Sequence, residues 1–312
     1  MRSAFVENTC LPFLLDTQNE DGGWGFHAGS QSRAEPTAWA LIALLEYAFT
    51  QSHEEVTSRA FKFLGAAQLP DGSWPSSPEL REGSWVTSLA CLALRGRMEL
   101  SENVIRGLGW LSEELPGEAG LLHRLVRRLF GKQNVGTQNA AYFGWSWTTG
   151  TASWVEPTSY AIIFLRAAPA ELLSATAKRR IYIGETMLYD RICPAGGWNC
   201  GNPMVYGAPG EPQVTSTAWA LLALREHPER PEVQKSLSWL EAHSKSIQSP
   251  ASLALALIAM NAYGRSDAGL AEALQTTYAK NEIPWNIPEV AWAALGLSST
   301  QNWLKQKSNG NS

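Results

Sequence analysis

The stretch Gln68-Leu69-Pro70-Asp71-Gly72-Ser73-Trp74, leading into Trp85-Val86-Thr87-Ser88-Leu89-Ala90, decides the fold, because it recurs along the chain. An earlier copy reads Gln18-Asn19-Glu20-Asp21-Gly22-Gly23-Trp24-Gly25 into Glu35-Pro36-Thr37-Ala38-Trp39. Later ones read Gly144-Trp145-Ser146-Trp147 into Trp154-Val155-Glu156-Pro157-Thr158, and Gly196-Gly197-Trp198-Asn199 into Thr215-Ser216-Thr217-Ala218-Trp219. Two degenerate copies follow, around Pro250-Ala251-Ser252 and around Pro284-Trp285 with Pro288-Glu289-Val290-Ala291-Trp292. Repeated units with a fixed internal order bury one shared core by stacking.

Each unit pairs two kinds of helix. Val56, Ala60, Phe63, Leu64 and Ala67 line one face of an amphipathic helix, and Val104, Ile105, Leu108 and Leu111 do the same. The partner segments Ala38–Leu45, Thr217–Leu224 and Ala251–Met260 are apolar nearly all round, the mark of helices buried on every side. Pro36, Pro157, Pro250 and Pro288 fit first helical turns, where a missing N–H costs nothing. Six such pairs predict an all-α fold: one (α/α)6 toroid of six inner and six outer helices. The whole of 1–312 reads as one domain, with a basic helical insertion near 117–135.

Composition narrows function. The chain has 25 basic and 29 acidic residues, a net charge of −4 and 45% hydrophobic residues, which excludes a disordered chain or a basic nucleic-acid binder. No segment has the length and apolarity of a membrane span, and Met1 to Asp16 does not read as a secretion signal. The expected location is therefore the cytoplasm, with the four cysteines as reduced thiols.

The Gln/Trp turns resemble those of the terpenoid cyclase and protein prenyltransferase superfamily, which includes the squalene–hopene cyclases. The resemblance covers nearly the whole chain. It implies an aromatic-lined central cavity suited to an isoprenoid or a similar apolar small molecule, and acid-initiated cyclisation or isomerisation within it. The chain departs from the family in its acids. It has five Asp and no Asp-x-Asp-Asp or Asp-Asp-x-x-Asp motif. In the register of the proton-donating motif stand Arg33-Ala34-Glu35-Pro36-Thr37 and Trp154-Val155-Glu156-Pro157-Thr158. The zinc set of the prenyltransferases is also missing, and no metal or other cofactor is expected.

Protonating an alkene needs a carboxylic acid kept protonated by burial, so Glu156 and then Glu35 are the candidate acids. The competing reading makes Glu-Pro-Thr helix-start punctuation, with Thr as part of a cap. Trp39, Trp85, Trp154, Trp219 and Trp292 recur near inner-helix starts. Of these, Trp39, Trp154 and Trp219, with Tyr160, are candidate ligand contacts. The loop Cys193–Gly207, rich in Gly, Pro and Asn, reads as a lid that adds Trp198 and Tyr206. Segment 120–132 alternates apolar positions with His123, Arg124, Arg127 and Arg128. That pattern fits peripheral contact with an anionic membrane, a diphosphate held by Arg124 and Arg127, or an ordinary solvated face. Three functional readings stay open: a cyclase-like enzyme, a non-catalytic toroid binding a prenyl group, lipid or protein, and a toroid resembling polysaccharide lyases.

Overall fold

A computed structural model describes residues 3–47, 51–96, 101–120, 138–139, 141–280 and 285–306. The fold is all-α, with twelve α-helices among the described residues and a single short hairpin, Met204–Val205 with Ala208–Pro209. A π-helical turn, Val6–Cys10, runs into α1 (Leu11–Asp16). Six helices are buried almost throughout: α2 (Ala34–Glu46), α4 (Val86–Leu94), α6 (Val155–Ala167), α8 (Val214–Ala223), α10 (Pro250–Ala262) and α12 (Ile287–Gly296). Each packs on two others, in the order α2–α4–α6–α8–α10–α12 and back to α2.

The amphipathic helices cover them. α3 (Gln51–Ala66) lies on α2, α5 (Glu102–Glu113) on α4 and α7 (Ala175–Asp190) on α6. α9 (Pro231–Ser244) lies on α8, α11 (Ala268–Lys280) on α10, and α1 against α12 and α2. No described helix is long and apolar enough to cross a membrane.

The repeated turn has a repeated bonding scheme. The indole N–H of Trp24, Trp74, Trp145 and Trp198 donates to a carbonyl in the preceding outer helix, at Leu14, Leu64, Leu111 and Leu188. The backbone N–H of each of these tryptophans donates to a threonine hydroxyl in the following inner helix: Thr37, Thr87, Thr158 and Thr217, at 2.9–3.0 Å. The same hydroxyls donate back to the carbonyls of their tryptophans. Thr37 and Thr158 are thus clasps on the turn, in place of the helix caps expected of Glu-Pro-Thr.

Further bonds join each turn to the next unit. Gln18 Nε2 donates to Gly22 O and Val56 O, and Gln68 Nε2 to Gly72 O and Asn103 O. Gly22 and Gly72 have φ of 86° and 94°, and a Cβ there would fall 2.8 Å and 2.7 Å from the carbonyls of Arg59 and Arg106. The third turn has no such glutamine; Arg180 stacks 4.1 Å from the Trp145 ring and donates to Glu114 O and Gly144 O.

Because four outer helices end, and four inner helices start, at these turns, the N-termini of those inner helices share one face. The opposite face is covered by Ser298–Gln306. Glu46 accepts from Ser298, Thr300 and the backbone N–H of Asn302 and Trp303. Arg95 donates to Trp303 O and Lys305 O, Arg225 to Leu304 O, and Gln301 and Gln306 to Ile258 O and Ala168 O.

The clasp is directly testable. Thr217→Val keeps the shape but leaves the buried N–H of Trp198 unmatched, while its C=O keeps the bond from Gln213 N–H, so it is expected to cost about 1–3 kcal/mol. Thr217→Ser is expected to recover most of that loss, as read from urea unfolding midpoints.

Candidate functional site

The first turns of the inner helices place carboxyl groups above aromatic rings. Residues four apart share a helix face, so Glu35 stands one turn above Trp39 on α2, and Glu156 one turn above Tyr160 on α6. The rings of the lower level meet. Trp39 and Trp219, from α2 and α8 on opposite sides of the cycle, have centroids 5.4 Å apart. Tyr160 lies 4.6 Å from Trp219 and 4.9 Å from Trp85, and Trp292 lies 5.6 Å from Trp39. Trp303 reaches the same cluster from the C-terminal segment, 6.2 Å from Trp39. Trp39, Tyr160 and Trp219 are all buried. These rings close the middle of the helix cycle one turn below the carboxyls; the side of this aromatic floor on which the carboxyls lie is the basin.

The two carboxyls are unlike ordinary surface acids. Burial raises the Glu35 pKa from 4.5 to about 7, with the nearby Arg33 charge opposing it. Burial also raises that of Glu156, against a hydrogen bond from Ser216 that lowers it. The Ser216 hydroxyl donates to Glu156 Oε1, and Oε2 is buried with no protein partner. Burial and then the charges of Glu35 and Glu156 push the Tyr160 phenol well above its usual range, which places both carboxyls within electrostatic reach of one hydroxyl. The arrangement can hold a neutral carboxylic acid beside π faces, where a developing cation is sheltered.

The other residues singled out in the sequence lie elsewhere. Trp154 is not the register equivalent of Trp39: it precedes α6, is 36% exposed, and Tyr160 takes the equivalent position. Trp198 is fully buried in its turn, with both N–H groups bonded. Tyr206 is fully exposed at the hairpin turn, with φ of 50°. Cys193 and Cys200 are free thiols raised in pKa chiefly by burial. Arg124 and Arg127, with nearly all of segment 120–132, lie outside the described residues. Ser216 and Trp303 went unnoticed in the sequence. Ser216 is one of several hydroxyls at a helix start, and Trp303 lies beyond the last repeat.

No protein-family pattern matches the chain. Drimenyl diphosphate synthase from Streptantibioticus cattleyicolor is 42% identical over 67 residues, 22% of this chain and 12% of that protein. Lanosterol synthase of Aspergillus fumigatus is 38% identical over 82 residues, 23% of this chain and 10% of its own length. The matches thus span about a tenth of each curated relative. In structure, the chain resembles a type II terpene cyclase from Scytonema in complex with its product merosterolic acid A. That likeness has a TM-score of 0.60 and 14% identity, over 95% of this chain and 96% of that one. It also resembles ent-copalyl diphosphate synthase from Streptomyces platensis, with a TM-score of 0.54 and 16% identity over 85% and 50%. Cellobiose 2-epimerase from Spirochaeta thermophila gives 0.58 and 11% over 96% and 95%. The chain is therefore similar to the type II terpene cyclases in fold and, over part of its length, to terpene cyclases in sequence. The epimerase shows that this fold also carries sugar chemistry.

The raised carboxyl makes a prediction about stability. Between pH 4.5 and about 7 the folded chain holds a proton on Glu35 that the unfolded chain has released. The contribution of Glu35 to stability is therefore highest below pH 4.5, falls through that window, and stays low above it. Glu35→Gln, which cannot ionise, is expected to raise stability at pH 8 by about 3 kcal/mol and to change little at pH 4.5. Denaturant melts at the two pH values check this.

Proposed function

We propose that residues 1–312 form a single (α/α)6 toroid that binds an isoprenoid or similar apolar ligand in the basin and protonates it from Glu156. The toroid reading is supported by the order in which the six buried helices pack, returning from α12 to α2. The observation that carries the chemistry is the Glu156 carboxyl. Ser216 occupies Oε1, so the acidic proton belongs on Oε2, which is buried and has no protein acceptor to receive it. That proton is available to an alkene laid on the aromatic floor. Its transfer forms a C–H bond from the π electrons and leaves a carbocation, which a second double bond of the same chain attacks. Loss of a proton from the cyclised cation completes the reaction. Glu35 is the second candidate acid, and near pH 7 it is divided between acid and carboxylate, so it also suits the final proton uptake. The terpene-cyclase likeness supports this ligand class, as does the product bound to the Scytonema cyclase. A cytoplasmic location with peripheral membrane contact through 120–132 belongs to the same reading.

A second reading, a toroid that binds such a ligand without turning it over, is favoured by the Trp39–Trp219 contact, which limits the depth of the basin. One experiment separates the two. Purified protein is offered geranylgeraniol and geranylgeranyl diphosphate in D2O, and bound lipid and products are measured by mass spectrometry. The enzyme reading expects a cyclised product with one carbon-bound deuterium. It also expects Glu156→Gln to lower turnover about 10²–10⁴-fold while binding is kept. Stoichiometric ligand without deuterated product leaves the binding reading, and protein that stays empty refutes both.

A further inference from the structure

The face opposite the basin holds a groove of about 1320 Å³, bounded by the C-terminal ends of α6, α8, α10 and α12, by α7, and by the segment Ser298–Gln306. Its wall is apolar at Leu173, Ile181, Leu257 and Leu297, and Tyr182 stands 70% exposed beside it. The charged groups are arranged unevenly. Glu185, the one buried acid there, already accepts from Arg166 at 2.6 Å and has His227 3.6 Å away. Arg225 is largely buried, its nearest carboxylate is the exposed Glu226 at 3.7 Å, and the charge of Arg166 acts against it. Lys178 and Lys305 line the same groove, and no carboxylate pairs with either among the described residues. Asp267 is held at the start of α11 by the N–H groups of Gly269 and Leu270.

From this we infer that the groove is a second ligand site, for an amphipathic anion. The carboxylate or phosphate head meets Lys178 and Lys305, and the alkyl chain lies along Leu173, Ile181 and Leu257. Two features carry it: a cavity of ligand size, and two lysines on its wall, Lys178 and Lys305, that no carboxylate pairs with among the described residues. The aromatic floor and Trp303 stand between this groove and Glu156, so the inference is independent of the chemistry proposed for the basin.

Dodecanoate and dodecyl phosphate, titrated separately by calorimetry against the whole chain, distinguish a fatty carboxylate from a phosphate-headed lipid. Dodecanol is the neutral control. One-to-one binding of either anion at least about tenfold tighter than the alcohol is expected, as for a charge-assisted head contact. Lys178→Glu, at an exposed position, is expected to weaken the anion about tenfold and to leave isoprenoid binding in the basin unchanged. Tyr182→Ala, also on the surface, is expected to weaken anion and alcohol alike. Equal affinity for anion and alcohol, no binding of either anion, or an unchanged affinity in Lys178→Glu would each overturn the assignment.

Discussion

A threonine hydroxyl that both accepts from and donates to the backbone of one tryptophan is the constraint on which the structure depends. It fixes the start of an inner helix to a turn, while the indole of the same tryptophan fixes that turn to the outer helix before it. A buried peptide N–H must have a partner, and here a side-chain hydroxyl supplies it, while the carbonyl of the same residue is shared with a backbone N–H of the turn. Repetition of the clasp at Trp24, Trp74, Trp145 and Trp198 sets four inner helices at the same height. Only helices set at one height bring side chains of corresponding turns together, and so the rings of Trp39, Tyr160 and Trp219 can meet.

Once those rings meet, the carboxyls above them lose water on one side. Burial is the leading cause of the upward shift at both Glu35 and Glu156, and the rings supply no charge to offset it. At Glu156 the hydrogen bond from Ser216, with a backbone hydrogen bond, restrains the shift and leaves Oε2 as the oxygen without a protein partner. The raised carboxyls are therefore a product of packing order: turn, helix height, ring contact and then pKa.

Much of this was legible in the sequence. The Gly/Trp turns and the contrast between apolar and amphipathic segments reveal the helix pairs, because both follow from local periodicity. The candidate acids were found because Glu-Pro-Thr recurs at inner-helix starts. What stayed hidden depends on contacts between distant residues. Nothing local marks Ser216 as the partner of Glu156, sixty positions away. Trp154 and Tyr160 both looked like ring positions, and only the helix start at Val155 decides that Tyr160 shares the level of Trp39. The closing role of Ser298–Gln306 rests on Glu46 and Arg95, more than two hundred positions earlier, which no repeat pattern connects to it.

The cycle of buried helices also has a seam. Five of its six contacts join neighbours in chain order, whereas α12 meets α2 across most of the sequence. The neighbouring contacts join helices that follow one another in the chain, so each closes a smaller loop than the α12–α2 contact does. The α12–α2 contact, reinforced by α1 and by the bonds to Glu46, can form only when both ends of the cycle are in place. The α12–α2 contact is thus the single latch that holds the wall of paired helices closed. Releasing that latch would unroll the wall and bare the central rings without breaking any of the clasps.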